Sequence, residues 1–373
     1  MKLTRREGLG LLAAGGALLA APVRALAEEA VPSLAALARA KGMRFGSAVS
    51  GGGGGSWRNP RYAALIEREC AVLVAENEMK WQAIRPTATT FDFTAFDAMI
   101  DYAAQQGLAM RGHNLLWHRP KWMPRWLEAH DFGARPATAA AAMMTNHVET
   151  VCARYKGRIL SYDVVNETVL PEDGTLAQTA LSKAMGGTVA LVDLAFHTAR
   201  AAAPGAELVY NDYMSWEPGN AAHRKGVLQL LEGFRKRGTP VDALGIQSHL
   251  VAPVPGAAER RDWQRFIDEV VAMGYGLLIT EFDVRDKDLP ADVAGRDRVV
   301  ADTAKAYCEM MFGYPQLKEV LAWGMVDAYS WLQGFEPRSD GIEARGCPYG
   351  SDYRPKLLRE ALAAAFAQAP ART

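Results

Sequence analysis

Two glutamates could do chemistry because of where they interrupt apolar runs. In "SYDVVNE" (161–167) a run through Val164 and Val165 closes on Asn166 and Glu167, and in "LLITEFDV" (277–284) Glu281 sits inside a second such run. The two lie 114 residues apart. A carboxylate in apolar surroundings is costly to bury, so a pair of them calls for a purpose. Such a pair can divide acid and base work, with one carboxyl kept protonated to release a leaving oxygen and the other ionised on the far side of the reacting carbon. Glycoside hydrolysis needs this arrangement, at roughly 5–5.5 Å between carboxyl groups for retention of configuration and roughly 6.5–9.5 Å for inversion.

Polar groups also gather at the ends of other apolar runs. Glu76 and Asn77 end "CAVLVAEN" (70–77), His113 and Trp117 lie in "LAMRGHNLLW" (108–117), and Asn211, Asp212 and Tyr213 end "ELVYNDY" (207–213). Gln247 and His249 lie in "ALGIQSHL" (243–250), and Trp323 and Asp327 in "VLAWGMVD" (320–327). With "FGSAV" (45–49), eight strands are expected. Between them run segments with apolar residues at helical spacing, such as "NAAHRKGVLQLLEGFRKRG", with Gly107, Gly238 and Gly274 as helix-ending glycines. Near-continuously apolar strands alternating with helices imply a parallel sheet covered on both faces.

Eight such repeats fit a single (β/α)8 TIM barrel, which takes about 250 residues before its loops are enlarged. An open doubly wound sheet is the alternative. Against it, "SGGGGGSW" (50–57) is a run of glycines without the spacing or the Lys-Ser/Thr of a phosphate cradle, and reads as a flexible loop. In a barrel the carboxyl ends of the strands surround one mouth, where the fourth and seventh strands would set Glu167 and Glu281 across from each other.

Each polar residue also has a bland reading. A lone acid such as Asp212, Asp283 or Asp327 often caps the next helix, and Trp117, Trp323 and Trp331 could simply fill the barrel top. His113 and His118 point to opposite faces of an extended chain, so no shared metal is expected, and nothing in the sequence asks for a cofactor. Lys80 invites a Schiff-base reading, but its acidic neighbourhood favours a sugar or carboxylate contact. Charge is balanced, 42 basic residues against 42 acidic, with no long basic run, so nucleic acid is not an expected partner. Four cysteines without C-x-x-C spacing argue against a zinc ribbon, and Cys70 and Cys152 read as buried free thiols. Residues 1–27 pair Arg5-Arg6 with a short apolar run and an Ala-Leu-Ala exit, the pattern of a twin-arginine-type export signal. After its removal no membrane association is expected, and a periplasmic or secreted location follows.

With these residues assembled, the chain resembles glycoside hydrolase family 10, the retaining endo-β-1,4-xylanases, from about Phe45 to Lys356. The motifs "ENEMKW" (76–81), "RGHNLLWH" (111–118), "YDVVNE" (162–167), "YNDY" (210–213), "GIQSHL" (245–250), "ITEFDV" (279–284) and "WGMVDAYSWL" (323–332) occur in family order. The resemblance implies that residues 28–373 form one catalytic barrel acting on xylan or xylo-oligosaccharides, and a monomer is expected. It assigns Glu167 as acid/base, Glu281 as nucleophile, His249 as the residue that orients and ionises Glu281, and Asn166 as a partner of the 2-hydroxyl. Glu76, Asn77 and Lys80 would grip the neighbouring xylose on the non-reducing side. His113, Trp117, Gln247, Trp323 and Trp331 would line the same stretch, with Tyr213 stacking beyond the cleavage point.

The chain departs from the family pattern at Pro120, where a Gln is common, at Met214, where an Asn is common, and at Tyr162, where Trp is usual. Its C-terminal "CPYGSDYRPK" is also only a loose match. Two alternatives stay open: another β-1,4-glycanase, an endoglucanase or mannanase, on the same barrel, decided by room around Lys80 and Trp323, or a catalytically silent carbohydrate-binding barrel, to which Pro120 and Met214 point.

Overall fold

The computed structural model describes residues 31–372, so the expected export signal lies outside the described residues. Eight parallel strands close on themselves: β1 (Arg44–Val49), β2 (Val72–Ala75), β3 (Ala109–His113), β4 (Ser161–Asn166), β5 (Glu207–Asp212), β6 (Ala243–Ile246), β7 (Gly276–Arg285) and β8 (Leu317–Ala322). Each pairs in parallel with its sequence neighbour, and β8 returns to β1 through Phe45 opposite Val320. The result is a (β/α)8 barrel, and the doubly wound alternative is set aside by this closure.

The helices that return the chain between strands start and stop where local chemistry says they should. Pro60 opens Pro60–Glu69 behind an Asn59 cap, and Asp292 accepts from the Gly295 amide to open Val293–Met311. Gly107, Gly238 and Gly274 all take positive φ just past helix ends, a conformation that costs any residue with a Cβ. The main apolar core lies between strands and helices, from Phe45 and Ile66 round to Phe366. Smaller clusters fill the barrel itself, one of Val72, Val74 and Leu321 under Trp323, another of Val209, Ala243 and Leu278.

A charged layer crosses the lower barrel interior. Arg111 reaches Asp163 at 2.6 Å and Glu319 at 3.2 Å, while Arg44 holds the other Glu319 oxygen at 2.7 Å. Arg111, Asp163 and Glu319 are fully buried. Burial pushes the Asp163 carboxyl up, and the Arg111 charge together with His113 overcomes this and holds it below the usual range.

One expectation needs correction. The sixth run is not one strand: β6 stops at Ile246, Ser248 takes φ 60°, and His249–Val251 resumes as a separate short strand on β7. That break lets Gln247 and His249 both serve the mouth. In the glycine loop after β1 a Cβ at Gly54 would fall 1.9 Å from the Tyr329 ring. Glycine there permits close approach of two mouth loops.

Candidate active site

The mouth is built from strand ends, and its two glutamates are joined by a chain of amides. Glu167 follows β4 with φ 57°, a left-handed backbone conformation that is strained for a residue with a Cβ and common where a side chain is aimed for function. Gln247 Nε2 donates to Glu167 Oε1 at 2.9 Å, and Asn166 Nδ2 approaches the same oxygen at 3.2 Å. Asn211 Nδ2, from β5, donates to Asn166 Oδ1 and to Glu281 Oε1, each at 2.8 Å. The Thr280 hydroxyl donates to Asn211 Oδ1 at 2.6 Å and so fixes which way that amide faces.

Glu281 has a second partner of a different kind. His249 Nε2 lies 3.3 Å from Glu281 Oε2, and His249 Nδ1 lies 3.0 Å from Asp283 Oδ1. Trp331 Nε1 donates to the other Asp283 oxygen at 2.6 Å. Burial opposes the charge on His249, yet the neighbouring Asp283 and Glu281 carboxylates raise its pKa to about 9. With both ring nitrogens then protonated, the imidazolium bridges Asp283 and Glu281.

The two glutamates are pushed in opposite directions. Burial raises the Glu167 pKa, helped by the charges of Asp212 and Glu281 and only partly offset by the Gln247 hydrogen bond. Burial also pushes Glu281 up, but the His249 hydrogen bond and the His113 and His249 charges outweigh it, and its pKa is lowered. Two carboxyls whose surroundings separate their pKa values are poised for different tasks.

The binding residues expected from sequence gather around this pair. Lys80 is buried, donates to Asn77 Oδ1 at 3.1 Å and stands over the Trp117 ring at 4.5 Å. Burial lowers its pKa, opposed by Glu281, Glu76 and Glu167, which places it among all three acids. Trp323 packs edge-on to His113 at 5.3 Å and to His249 at 6.5 Å. His113 is itself fixed by Asp163, 2.9 Å from Nδ1. Tyr213 lies on the other side, beside Asp212, and its hydroxyl accepts from Arg119 Nη2 at 2.8 Å. Among the described residues no group of His, Cys, Asp and Glu could hold a metal ion. The cysteines at 70, 152, 308 and 347 are buried and unpaired.

Sequence reasoning missed several participants. Asn211 was visible only as one more polar strand end, and Thr280 not at all. Trp122 stacks on Trp117 at 4.7 Å, and Phe335 lies 5.1 Å from Trp331 and 6.3 Å from Trp122, so an aromatic arc links the loops after β3 and β8. The unusual Tyr162 points away from the mouth, because Asp163 beside it faces the barrel interior and strand residues alternate. Met214 packs wholly within the main core.

The arrangement matches known proteins along nearly the whole chain. Residues 33–365 match the model for glycosyl hydrolase family 10. An endo-beta-1,4-xylanase of Cellvibrio japonicus is 31% identical over 299 residues, 74% of this chain but only 47% of that protein, so the chain spans about half its length. Endo-1,4-beta-xylanase B of Thermotoga neapolitana is 28% identical over 85% of this chain and 88% of its own. The crystal structure of native xylanase 10B from Thermotoga maritima superposes with a TM-score of 0.80 at 27% identity, covering 90% of this chain and 98% of the other.

Proposed function

This chain belongs to glycosyl hydrolase family 10, and from that premise we propose that it hydrolyses the β-1,4-xylosidic backbone of xylan internally, with retention of configuration. The observation that carries the reading is the pair of glutamates joined by one amide chain, whose surroundings push their pKa values in opposite directions. A crystal structure of a Thermotoga petrophila relative, 26% identical with a TM-score of 0.79, holds xylobiose, which supports a xylo-oligosaccharide as the ligand of this mouth.

In the first step ionised Glu281 attacks the anomeric carbon while protonated Glu167 gives its proton to the departing oxygen. The glycosyl ester on Glu281 removes one negative charge beside Glu167. Its pKa falls, and Glu167 then takes a proton from the water that hydrolyses the ester. His249 keeps Glu281 ionised and oriented through Asp283. Asn166, whose carbonyl oxygen is fixed by Asn211, turns its amide nitrogen toward Glu167 and is placed to meet the sugar 2-hydroxyl. Glu76, Asn77 and Lys80 grip the next xylose, with Trp117, Trp323 and Trp331 offering apolar faces to the pyranose rings.

The direct experiment follows the anomeric form of the first products released from xylan by NMR. β-Products ahead of mutarotation, together with much slower release from carboxymethylcellulose, support the reading; α-products overturn retention, and preference for cellulose overturns the substrate. We also propose that residues 1–27 are a twin-arginine-type leader and that the catalytic domain acts outside the cytoplasm as a monomer. Replacing Arg5 and Arg6 together by lysine should then trap the protein inside the cell.

A further inference from the structure

Arg119 follows Trp117-His118, just before Pro120, and the structure brings it to the Tyr213 side of the mouth. One of its nitrogens does all its work within the protein: Nη2 donates to the Val169 carbonyl at 2.6 Å and to the Tyr213 hydroxyl at 2.8 Å. Both acceptors are neutral. The guanidinium also lies over the Tyr213 ring, 5.5 Å from its centre. Among the described residues no carboxylate comes within 4.0 Å of it.

Two of the acids nearby are already committed. Asp212 accepts from Tyr210, from the Tyr213 amide at 2.8 Å, and lies 3.0 Å from His223 Nε2. Glu167 takes its hydrogen bonds from Gln247 and Asn166. Nε and Nη1 of Arg119 therefore have no protein acceptor, and they are not sealed in protein as the unpartnered Nε atoms of Arg85 and Arg296 are. A guanidinium fixed by one nitrogen, with its remaining edge open and no carboxylate in direct contact, has the geometry and charge for a bidentate carboxylate.

We propose that Arg119 is a specificity residue for a carboxylate carried on a uronic acid branch of the substrate, on the leaving-group side of the bond to be cut. The proposal rests on the xylanase reading above and names a substrate class for it. Among backbone substituents, arabinose offers only hydroxyls and an acetyl group only a neutral carbonyl, whereas a uronate supplies a planar anion that matches the open edge. The rival account is that Arg119 only props Tyr213 in place.

The two separate in an experiment on a glucuronate-branched xylo-oligosaccharide and the same compound with its carboxyl reduced to an alcohol. The planar carboxylate is then the sole difference. For wild type, kcat/KM should favour the uronate by about tenfold, a factor that corresponds to about 1.4 kcal/mol. In Arg119→Ala the preference should vanish, while Arg119→Lys keeps part of it, since a point charge replaces the fork. A wild-type ratio near one, or a ratio that survives in Arg119→Ala, overturns the proposal. Equal losses on both compounds in Arg119→Ala, with Tyr213→Phe behaving the same way, give the propping account instead. Failure of wild type to cleave even unbranched xylo-oligosaccharides would fell the xylanase reading itself, a result distinct from loss of the uronate preference.

Discussion

In the lower barrel Asp163 and Glu319 are held by the guanidinium groups of Arg111 and Arg44, whereas at the mouth Glu167 is held by neutral amides from Gln247 and Asn166. Both regions bury carboxylates, and burial pushes the carboxyl pKa upward in both. The difference is the partner. A guanidinium never gives up its charge, so Asp163 is lowered and stays ionised. An amide stabilises the carboxylate without a full charge, so the Glu167 pKa stays raised. Glu281 lies between these cases, since its partner His249 is a cation that can itself titrate. Structure is secured with permanent charges, and chemistry is left to groups that can change theirs.

The largest expected effects break the mouth. Glu281→Ala removes the atom that forms the covalent bond, and kcat should fall on the order of 10⁴-fold or more on every substrate. Glu167→Ala should cost roughly 10²–10⁴-fold on xylan, whose leaving group needs a proton, but far less in the first step with an activated aryl xyloside. Comparing the two substrate types by burst kinetics checks this. A Glu167→Ala enzyme equally damaged on both would remove the acid assignment.

Breaking the lower layer should act on stability instead. Arg111→Met leaves Asp163 and Glu319 buried without their shared cation, at a cost of about 3–5 kcal/mol. Urea denaturation would register it as a lowered midpoint. Activity per folded molecule should fall much less than in Glu281→Ala. A midpoint shift worth under about 1 kcal/mol would mean that the layer is not held by charge.

The same contrast explains what the sequence could tell. Glu167 and Glu281 were legible because a charge closing an apolar run is visible in one dimension, and eight alternating runs imply a barrel that brings their ends together. The Arg111, Asp163 and Glu319 layer was not legible. Reading it requires knowing which residues of three distant strands point inward at one height, and that depends on register. Asn211 was hidden for a related reason, because its role comes from touching Asn166 and Glu281 at once. The Trp122 and Phe335 contact joins loops more than two hundred residues apart and obeys no local spacing. The break after β6 went unseen because Gln247 and Ser248 carry no turn signature strong enough to interrupt a strand-like run.

A smaller effect tests the intermediate position of Glu281. His249→Gln keeps a hydrogen-bond donor in place but removes the positive charge that helps lower the Glu281 pKa. As nucleophile Glu281 must be ionised, so activity is lost as pH falls through its pKa. With that pKa raised, the acidic limb of kcat/KM against pH should move upward, while the basic limb stays nearly fixed. An unmoved acidic limb would show that His249 orients Glu281 without ionising it.

The subtlest change probes the amide side of the comparison. Gln247 donates to Glu167 Oε1 at 2.9 Å, and this bond favours the carboxylate, offsetting part of the rise caused by burial. Gln247→Leu removes the donor at similar volume and should raise the Glu167 pKa further. Because Glu167 must be protonated in the first step, activity is lost as pH rises through that pKa, and the basic limb should move to higher pH. The second step calls for the same group as a base, so hydrolysis of the glycosyl ester should slow at neutral pH and the intermediate should accumulate. Mass spectrometry of the quenched enzyme would show this as an added sugar on the Glu281 peptide. A basic limb displaced downward would mean that Gln247 instead supports the protonated acid, accepting through its oxygen, with its amide turned over from the orientation described above.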